Sequence, residues 1–329
     1  MTQTARVARI ERTGGPEVIA WTDIDLPPPG PGQVRMRNHM VGLNYIDAYH
    51  RSGLYRIDLP AELGSEAAGV IEAVGEGSDG FQVGDRVGTF GPSRGAYATA
   101  RNVAIDELVH LPDAVDYRTA AALLLKGGTT AMLVEHCAKV QPGQVVLVHA
   151  AAGGVGHLLV GWLKAIGAVV IGSVGTEEKA EMARAAGADH VLLHRTEDVA
   201  AKVREITDGV GAQVVLDGIG KATWPVSLAS AARRGIIVSY GNASGPVDGV
   251  NLGVLSAHGS LFVTRPTLFD YATSQGERQA MVDRVFEMLG RGAIEPVIGQ
   301  MFPLEEAAAA HRAMEAGETH GSTVLVAGG

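Results

Sequence analysis

Gln144-Val-Val-Leu-Val-His149 runs into Ala150-Ala-Ala-Gly-Gly-Val-Gly156, and the stretch Val155–Ile166 continues with an apolar face at helical spacing. An unbroken apolar run of this length reads as a strand in a sheet covered on both faces. Between a buried strand and a helix, glycine serves two ends. It lets the chain turn tightly with its backbone exposed to a ligand, and it lets the helix pack close to the sheet. Against the pattern G-x-G-x-x-G, Ala151 stands at the first position, Gly153 at the third and Gly156 at the sixth. A strand before and a helix after is the context a dinucleotide fingerprint requires, with the positive end of the helix facing the pyrophosphate. Candidate cofactor contacts on this turn are Ala152, Gly153, Gly154, Val155 and Gly156.

The same rhythm continues downstream. Ala168–Gly172, His190–Leu193, Gln213–Asp217 and Gly235–Tyr240 read as strands, and Lys179–Ala186 and Pro225–Ala232 as helices. Alternation of this kind means βαβ units and a parallel sheet with right-handed crossovers. Ser260–Thr264 reads as the last strand of the series, Ala280–Gly292 and Pro303–Ala316 as helices, and Ser322–Val326 as a final strand. Upstream the pattern differs. Val34–Val41 alternates, Ala68–Val74 is strand-like, and Gly80–Val87 is a turn feeding another strand, so the first third reads as β-rich. Pro27-Pro-Pro-Gly-Pro-Gly32 cannot join a sheet interior and reads as a turn or linker.

The choice of dinucleotide turns on the end of the second strand, where an acid would hold a free ribose 2′-hydroxyl. Here that end is Ile171-Gly-Ser-Val-Gly-Thr176, without an acid. Ser173 and Thr176 offer hydroxyls and Lys179 a positive charge, which suits a 2′-phosphate. Glu177 and Glu178 weigh the other way but also suit the first turn of a helix. The balance favours NADPH.

Bulk properties exclude other classes. Hydrophobic residues make up 46% of 329 and charged residues 19%, which rules out a disordered chain and allows two domains. A net charge of −9 repels a polyanion, so nucleic acid is not the expected partner. The single cysteine, Cys137, allows neither an intramolecular disulfide nor a Cys-rich zinc site. Met1–Ile10 lacks the apolar core of a signal peptide, and no uninterrupted apolar run is long enough for a bilayer, so no membrane association and a cytoplasmic location are expected.

Further segments carry a resemblance. Leu43-Asn-Tyr-Ile-Asp-Ala-Tyr-His-Arg-Ser-Gly-Leu-Tyr55, Gly64-Ser-Glu-Ala-Ala-Gly69, Gly84-Asp-Arg-Val87, Leu124-Leu-Lys-Gly-Gly-Thr129, His149–Gly156, Gly241-Asn-Ala-Ser-Gly245 and Gly259–Pro266 follow one another along nearly the whole chain. Together they resemble the zinc-independent NADPH:quinone oxidoreductases, the zeta-crystallin-like branch of the medium-chain dehydrogenase/reductase superfamily. The resemblance implies an α/β fold in which a doubly wound Rossmann sheet is inserted into a β-rich GroES-like catalytic domain. Its expected boundaries are 1–124 for the first part of the catalytic domain, 125–266 for the NADPH-binding domain and 267–329 for the returning part. It also implies roles. Asn44 and Asp47 lie beside the nicotinamide and its ribose, Tyr55 lines the substrate mouth, and Lys126 and Thr129 face the nicotinamide. His194 lies near the 2′-phosphate, where relatives place Tyr or His. Tyr240 and Asn242 meet the cofactor at the fifth Rossmann strand, and Arg265 lies near the nicotinamide end. A homodimer is implied as well, by edge pairing near Ser260–Thr264. Two departures stand out: an extra glycine in Gly127-Gly128-Thr129, expected to loosen a loop, and a histidine at 194, expected to make the phosphate contact pH-sensitive.

Zinc-dependent members of the superfamily use a cysteine and a Gly-His-Glu histidine as ligands. Asn44 and the serine of Gly64-Ser65-Glu66 stand in those places, and Asp47 with His50 makes at most two ligands, so no metal is expected. Without a Lewis acid, alcohol oxidation is disfavoured, and reduction of an electrophilic acceptor by hydride remains. Asn44 and Tyr55 are the candidate catalytic residues, as hydrogen-bond donors to the developing oxyanion. Three readings follow: a quinone reductase; a reductase of α,β-unsaturated carbonyls; and, remotely, a non-catalytic NADPH-binding structural or RNA-binding protein.

Overall fold

The structure, a computed structural model, describes residues 3–328, which form two compact units. The first comprises Met1–Leu125, Ala272–Asp283 and Val297–Gly329; the second comprises Lys126–Tyr271 and Arg284–Pro296.

The first unit opens with strands β1 (Gln3–Ile10), β2 (Ala20–Leu26) and β3 (Gln33–Leu43), then helix α1 (Tyr45–Ser52). Strands β4 (Ala61–Glu62), β5 (Glu66–Val74), β6 (Arg86–Phe90), β7 (Ala100–Ala104) and β8 (Leu108–His110) follow, and then helix α2 (Tyr117–Ala131). The second unit carries strands β9 (Val145–His149), β10 (Val169–Val174), β11 (His190–Leu193), β12 (Ala212–Asp217), β13 (Ala231–Ser239) and β14 (Phe262–Thr264). Its helices are α3 (Gly154–Ile166), α4 (Glu177–Ala185), α5 (Val199–Ile206), α6 (Trp224–Ser230) and α7 (Gly253–Ala257). Helix α8 (Gln275–Gly290), strand β15 (Ile298–Pro303), helix α9 (Ala307–Glu315) and strand β16 (Ser322–Val326) complete the chain.

In the first unit β2-β1-β4 form one sheet and β15-β16-β3-β5-β6-β8 another, with β7 also on β3. The strand β16, near the end of the chain, pairs antiparallel with β3, Thr323 opposite Leu43. The long loop closure this needs is repaid by burial of Leu325 and Leu304 in one core with Met36, Leu43, Leu63 and Ile71. In the second unit the order is β11-β10-β9-β12-β13-β14, and every pairing is parallel. Counted within the unit this is the doubly wound order 3-2-1-4-5-6, whose direction reverses between β9 and β12. A ligand crevice is expected outside the carboxyl ends of the strands at that point, which is where the glycine-rich turn lies.

Among the differences between the structure and the sequence reading, four bear on the two units and their sites. Helix α5 was not assigned from sequence, although Asp198 caps it by accepting the Ala201 amide (3.0 Å) and Val199 and Val203 are buried. The helix read at Pro225–Ala232 stops at Ser230, because Ala231 enters β13 opposite Ala212; sheet pairing overrides alanine's helix preference. Gly127, Gly128 and Thr129 lie inside α2 rather than in a loop. The third expected segment divides, since Arg284–Pro296 packs in the second unit. There Arg284 pairs with Glu135 (2.9 Å) and lies over the Trp162 ring, and a side chain at Gly161 would collide with the Ala293 carbonyl.

Candidate active site

The turn after β9 is built from backbone. Ala150 takes a left-handed conformation (φ 52°), its carbonyl accepts the Gly153 amide (2.8 Å), and the Ala151 amide donates to the Ser173 carbonyl (3.2 Å). Helix α3 then starts from Gly153 with no side-chain cap and no acid in its first turn. Its leading amides therefore carry the helix's partial positive charge with no side-chain group competing for them, which suits a phosphate. A Cβ at Gly156 would overlap the Ala150 carbonyl, so glycine is required there for the helix to sit on the turn. The left-handed alanine is a point of strain. Ala150→Gly is expected to raise stability by up to about 1 kcal/mol, read as a higher melting temperature; an unchanged or lower one would mean the turn carries no strain.

Beyond β10, Thr176 caps α4 by accepting the Lys179 amide (3.3 Å). Glu177 is drawn down the helix into an ion pair with Arg184 (2.6 Å). His194 and Arg195 flank Gly175; a Cβ there would lie 3.3 Å from the nearest atom of each. Burial, Arg195 and Lys179 together hold the His194 imidazole below its usual pKa, so the group is a neutral donor within a cationic cluster. Ser173, by contrast, is 1% exposed, inside β10; its carbonyl holds the turn, and its hydroxyl does not open to solvent.

The neighbouring strand ends are stiffened from below. Asp217, buried, accepts the amides of Ile219 (2.9 Å) and Gly220 (3.0 Å) and the hydroxyls of Thr223 (2.8 Å) and Ser227 (2.7 Å). Ser227 also meets His149 Nε2 (3.1 Å), whose pKa burial pushes down. The Tyr240 amide donates to the Asp217 carbonyl (2.8 Å), Asn242 begins the next turn, and Arg265 donates to the Ser239 carbonyl (2.9 Å). Tyr240, Asn242 and Arg265 thus sit together just beyond the carboxyl ends of β13 and β14. Lys126 and Thr129, three apart on α2, share one helix face, Lys126 buried and Thr129 partly so.

In the first unit the sequence-predicted Asn44 and Asp47 enter a buried polar cluster. Asn44 precedes α1, and its amide donates to Asp47 Oδ2 (3.0 Å), closing half of a capping box. Asn44 Nδ2 donates to Glu66 Oε2 (2.8 Å), while Glu66 Oε1 accepts the Leu125 amide (2.7 Å). Ser65 donates to Asp47 Oδ1 (2.9 Å), and the Tyr97 hydroxyl lies 3.2 Å from Oδ2 and 3.0 Å from His311 Nε2. Burial raises the Asp47 carboxyl to about 6 against the pull of its hydrogen bonds, and Tyr97 is pushed well up by burial and Asp47. Tyr55 is partly buried, its ring 5.1 Å from that of Tyr49 and edge-on to His50 at 6.1 Å. His50 is lowered to about 4 by burial and Arg94.

These residues do not fit zinc. Asn44 turns an N–H toward Glu66, Ser65 gives its proton to Asp47, and Asp47 and His50 engage different partners. Among the described residues no three His, Cys, Asp or Glu side chains converge on one point. Sequence reading missed Tyr97, His311 and Arg195 as site residues. Nothing in the local pattern distinguishes the first two; Tyr97 meets Asp47, and His311 meets Tyr97, only through folding of segments far apart in the chain. Arg195 had a signal in its place beside His194.

Residues 30–113 match the alcohol dehydrogenase GroES-like domain family and residues 154–287 the zinc-binding dehydrogenase family. The quinone oxidoreductase of Pseudomonas aeruginosa is 50% identical over 95% of this chain and 97% of its own. The 2-haloacrylate reductase of a Burkholderia species is 43% identical over 97% of this chain and 98% of its own. The crystal structure of Escherichia coli quinone oxidoreductase complexed with NADPH superposes with a TM-score of 0.95 at 40% identity, covering 98% of this chain and 99% of that one. Fold, strand order, glycine turn and full-length likeness agree: the chain belongs to the quinone oxidoreductase family of the medium-chain dehydrogenase/reductase superfamily.

Proposed function

We propose that the protein is an NADPH-dependent quinone oxidoreductase that works without a metal. The observation that carries this reading is the state of Asn44 and Ser65, which are hydrogen-bonded to carboxylates in the places where zinc-dependent relatives hold their metal. NADPH, when bound, supplies the hydride. The amides from Ala152 to Gly156 hold its pyrophosphate, with Val155 opening the helix, and Lys179, His194 and Arg195 hold the 2′-phosphate. Lys126, Thr129, Tyr240, Asn242 and Arg265 orient the nicotinamide end. Asn44 and Tyr55 are the proposed catalytic residues, as hydrogen-bond donors to the oxyanion of the acceptor. Asp47, its carboxylate taken up by Asn44, Ser65 and Tyr97, supports Asn44.

The likeness to the 2-haloacrylate reductase favours a second reading of the same chemistry, reduction of an activated alkene such as an α,β-unsaturated carbonyl. Comparing kcat/KM for a simple quinone and a simple enone decides; a higher value for the enone overturns the first reading.

His194 and Arg195 give a separate expectation. Replacing either with alanine removes one charge-assisted contact to the 2′-phosphate and weakens NADPH binding about ten-fold or more, leaving NADH unchanged. Because His194 is held neutral, acidification restores its charge, and the preference for NADPH over NADH rises as pH falls in the wild type but less in His194→Ala. Fluorescence titration with both cofactors reads this; equal losses for NADPH and NADH would place the 2′-phosphate elsewhere.

The protein is proposed to act in the cytoplasm as a homodimer that binds no nucleic acid. No helix among the described residues is long and apolar enough to cross a membrane. β14 is the edge strand of its sheet and exposes Phe262 (58%) and Val263 (39%), an apolar edge suited to pairing with a second copy. Light scattering checks this; a monomeric mass would refute the dimer.

A further inference from the structure

Between β6 and β7 the chain turns through Gly91-Pro-Ser-Arg-Gly95, and this turn lies against the segment that carries Ser65. The Gly91 amide donates to the Ser65 carbonyl (3.4 Å), the Gly95 amide to the Leu63 carbonyl (3.2 Å) and the Ala96 amide to the Gly64 carbonyl (3.1 Å). Side chains hold the turn from behind. Arg101, buried, donates to the Arg94 carbonyl (3.2 Å), and the Ser93 hydroxyl donates to Glu107. The two glycines allow this close approach. A Cβ at Gly91 would lie 2.5 Å from Glu107 Oε2, and one at Gly95, which is left-handed (φ 105°), 2.8 Å from Glu62 Oε2. Arg94 is thus presented from a fixed backbone, beside Ser65 and Glu66, which hold Asp47 and Asn44.

The Arg94 side chain is half-buried and has no counter-charge. Among the described residues no acid pairs with it, and its guanidinium donates to no protein acceptor. The acids nearest the turn serve Arg101 instead, since Glu107 and Glu62 both offset the burial of that guanidinium. Arg94 Nε is buried, but neither terminal nitrogen is, so the charged end opens to solvent. Its charge reaches His50 on α1. With burial it lowers the imidazole to about 4, so the ring stands neutral and adds no second cation. Tyr55 lies edge-on to that ring at 6.1 Å. A partly desolvated guanidinium without a partner carries a desolvation cost that nothing in the protein offsets. It is also the group best shaped to take a carboxylate through two parallel N–H bonds.

We propose that Arg94 is a specificity-determining residue, whose terminal nitrogens pair with a carboxylate carried on the acceptor at a distance from the carbon or oxygen that is reduced. This rests on the reading that the acceptor is reduced beside Asn44 and Tyr55. The carboxylate takes no part in hydride transfer. Its pairing holds the bound acceptor and the transition state equally, so the gain falls on KM and leaves kcat alone.

Two benzoquinones test this, one with a propanoate side chain and the other its methyl ester. The saturated spacer keeps the ring chemistry of the two alike. With the full-length enzyme and NADPH, kcat/KM is expected to be about ten-fold or more higher for the acid than for the ester, through a lower KM. In Arg94→Gln that ratio is expected to fall to about one, and Arg94→Lys, which keeps the charge without the fork, to restore part of it. Arg56→Gln is the control, because Arg56 is an exposed cation next to Tyr55 in the chain; the ratio is expected to persist there. No preference for the acid in the wild type, or an equal fall in Arg94→Gln and Arg56→Gln, would overturn the proposal. So would weaker NADPH binding in Arg94→Gln, which would give the residue to the cofactor. Binding is read without turnover by NMR titration of the full-length protein with the unreactive dimethoxyphenyl analogues of the same acid and ester. Tighter binding of the acid that is lost in Arg94→Gln, in a protein that turns over neither quinone, would count against the reading of function and uphold the anion site. Equal binding of acid and ester would overturn the site itself.

Discussion

Gly156→Ala is expected to abolish tight NADPH binding. The added methyl would overlap the Ala150 carbonyl oxygen and lie 2.9 Å from both the Ala150 carbonyl carbon and the Ala151 Cα. All three atoms are backbone of the turn, so no rotamer change relieves the clash, and either the turn opens or α3 moves off the sheet. Overpacking against rigid backbone costs about 1–3 kcal/mol of stability. The effect on binding is larger, because the amides ahead of α3 lose their common aim. Losing two charge-assisted hydrogen bonds, at about 1.5–3 kcal/mol each, weakens binding at least a hundred-fold. Gly290→Ala is the control, since a Cβ there meets nothing within 4 Å. Calorimetric titration with NADPH reads both variants. Near-normal affinity in folded Gly156→Ala would remove the turn from the cofactor site.

Asp47→Asn is expected to change how stability depends on pH. The wild-type carboxyl is raised from 3.8 to about 6 by burial, so the folded protein holds this proton more tightly than the unfolded chain does. The stability linked to that proton is therefore present in full below about pH 4 and is lost as pH rises through about 6. The gap corresponds to about 3 kcal/mol. Asparagine keeps the shape and one acceptor but cannot ionise, so it escapes this loss while weakening one of the bonds from Asn44, Ser65 and Tyr97. Denaturant unfolding across that range is expected to show the variant gaining on the wild type by up to about 3 kcal/mol as pH rises. A constant difference would mean that Asp47 is not the titrating group.

What the sequence made legible follows from the range of the forces involved. The second unit is built from local βαβ steps, and each strand, turn and cap leaves its mark within a few residues, as at His149–Gly156 and Thr176–Lys179. Ser173, read from its strand-end position as a phosphate contact, is buried within β10, where Val170, Ile171, Gly172 and Val174 are buried as well. The first unit depends on distant pairing. β16 on β3, His311 on Tyr97 and Tyr97 on Asp47 have no local signature, so Asn44 and Asp47 could be named from resemblance while Tyr97 and His311 could not. Arg284–Pro296 joins the second unit for the same reason, through Glu135, Trp162 and Gly161, which are far from it in sequence.

Steady-state oxidation of NADPH by a simple quinone, with enzyme dialysed against a strong chelator, tests most directly whether this is a metal-independent quinone reductase. Turnover is expected that depends on quinone, is faster with NADPH than with NADH, and is undiminished by the chelator. NADPH binding without turnover of any quinone, or activity lost to the chelator and restored by zinc, would contradict it.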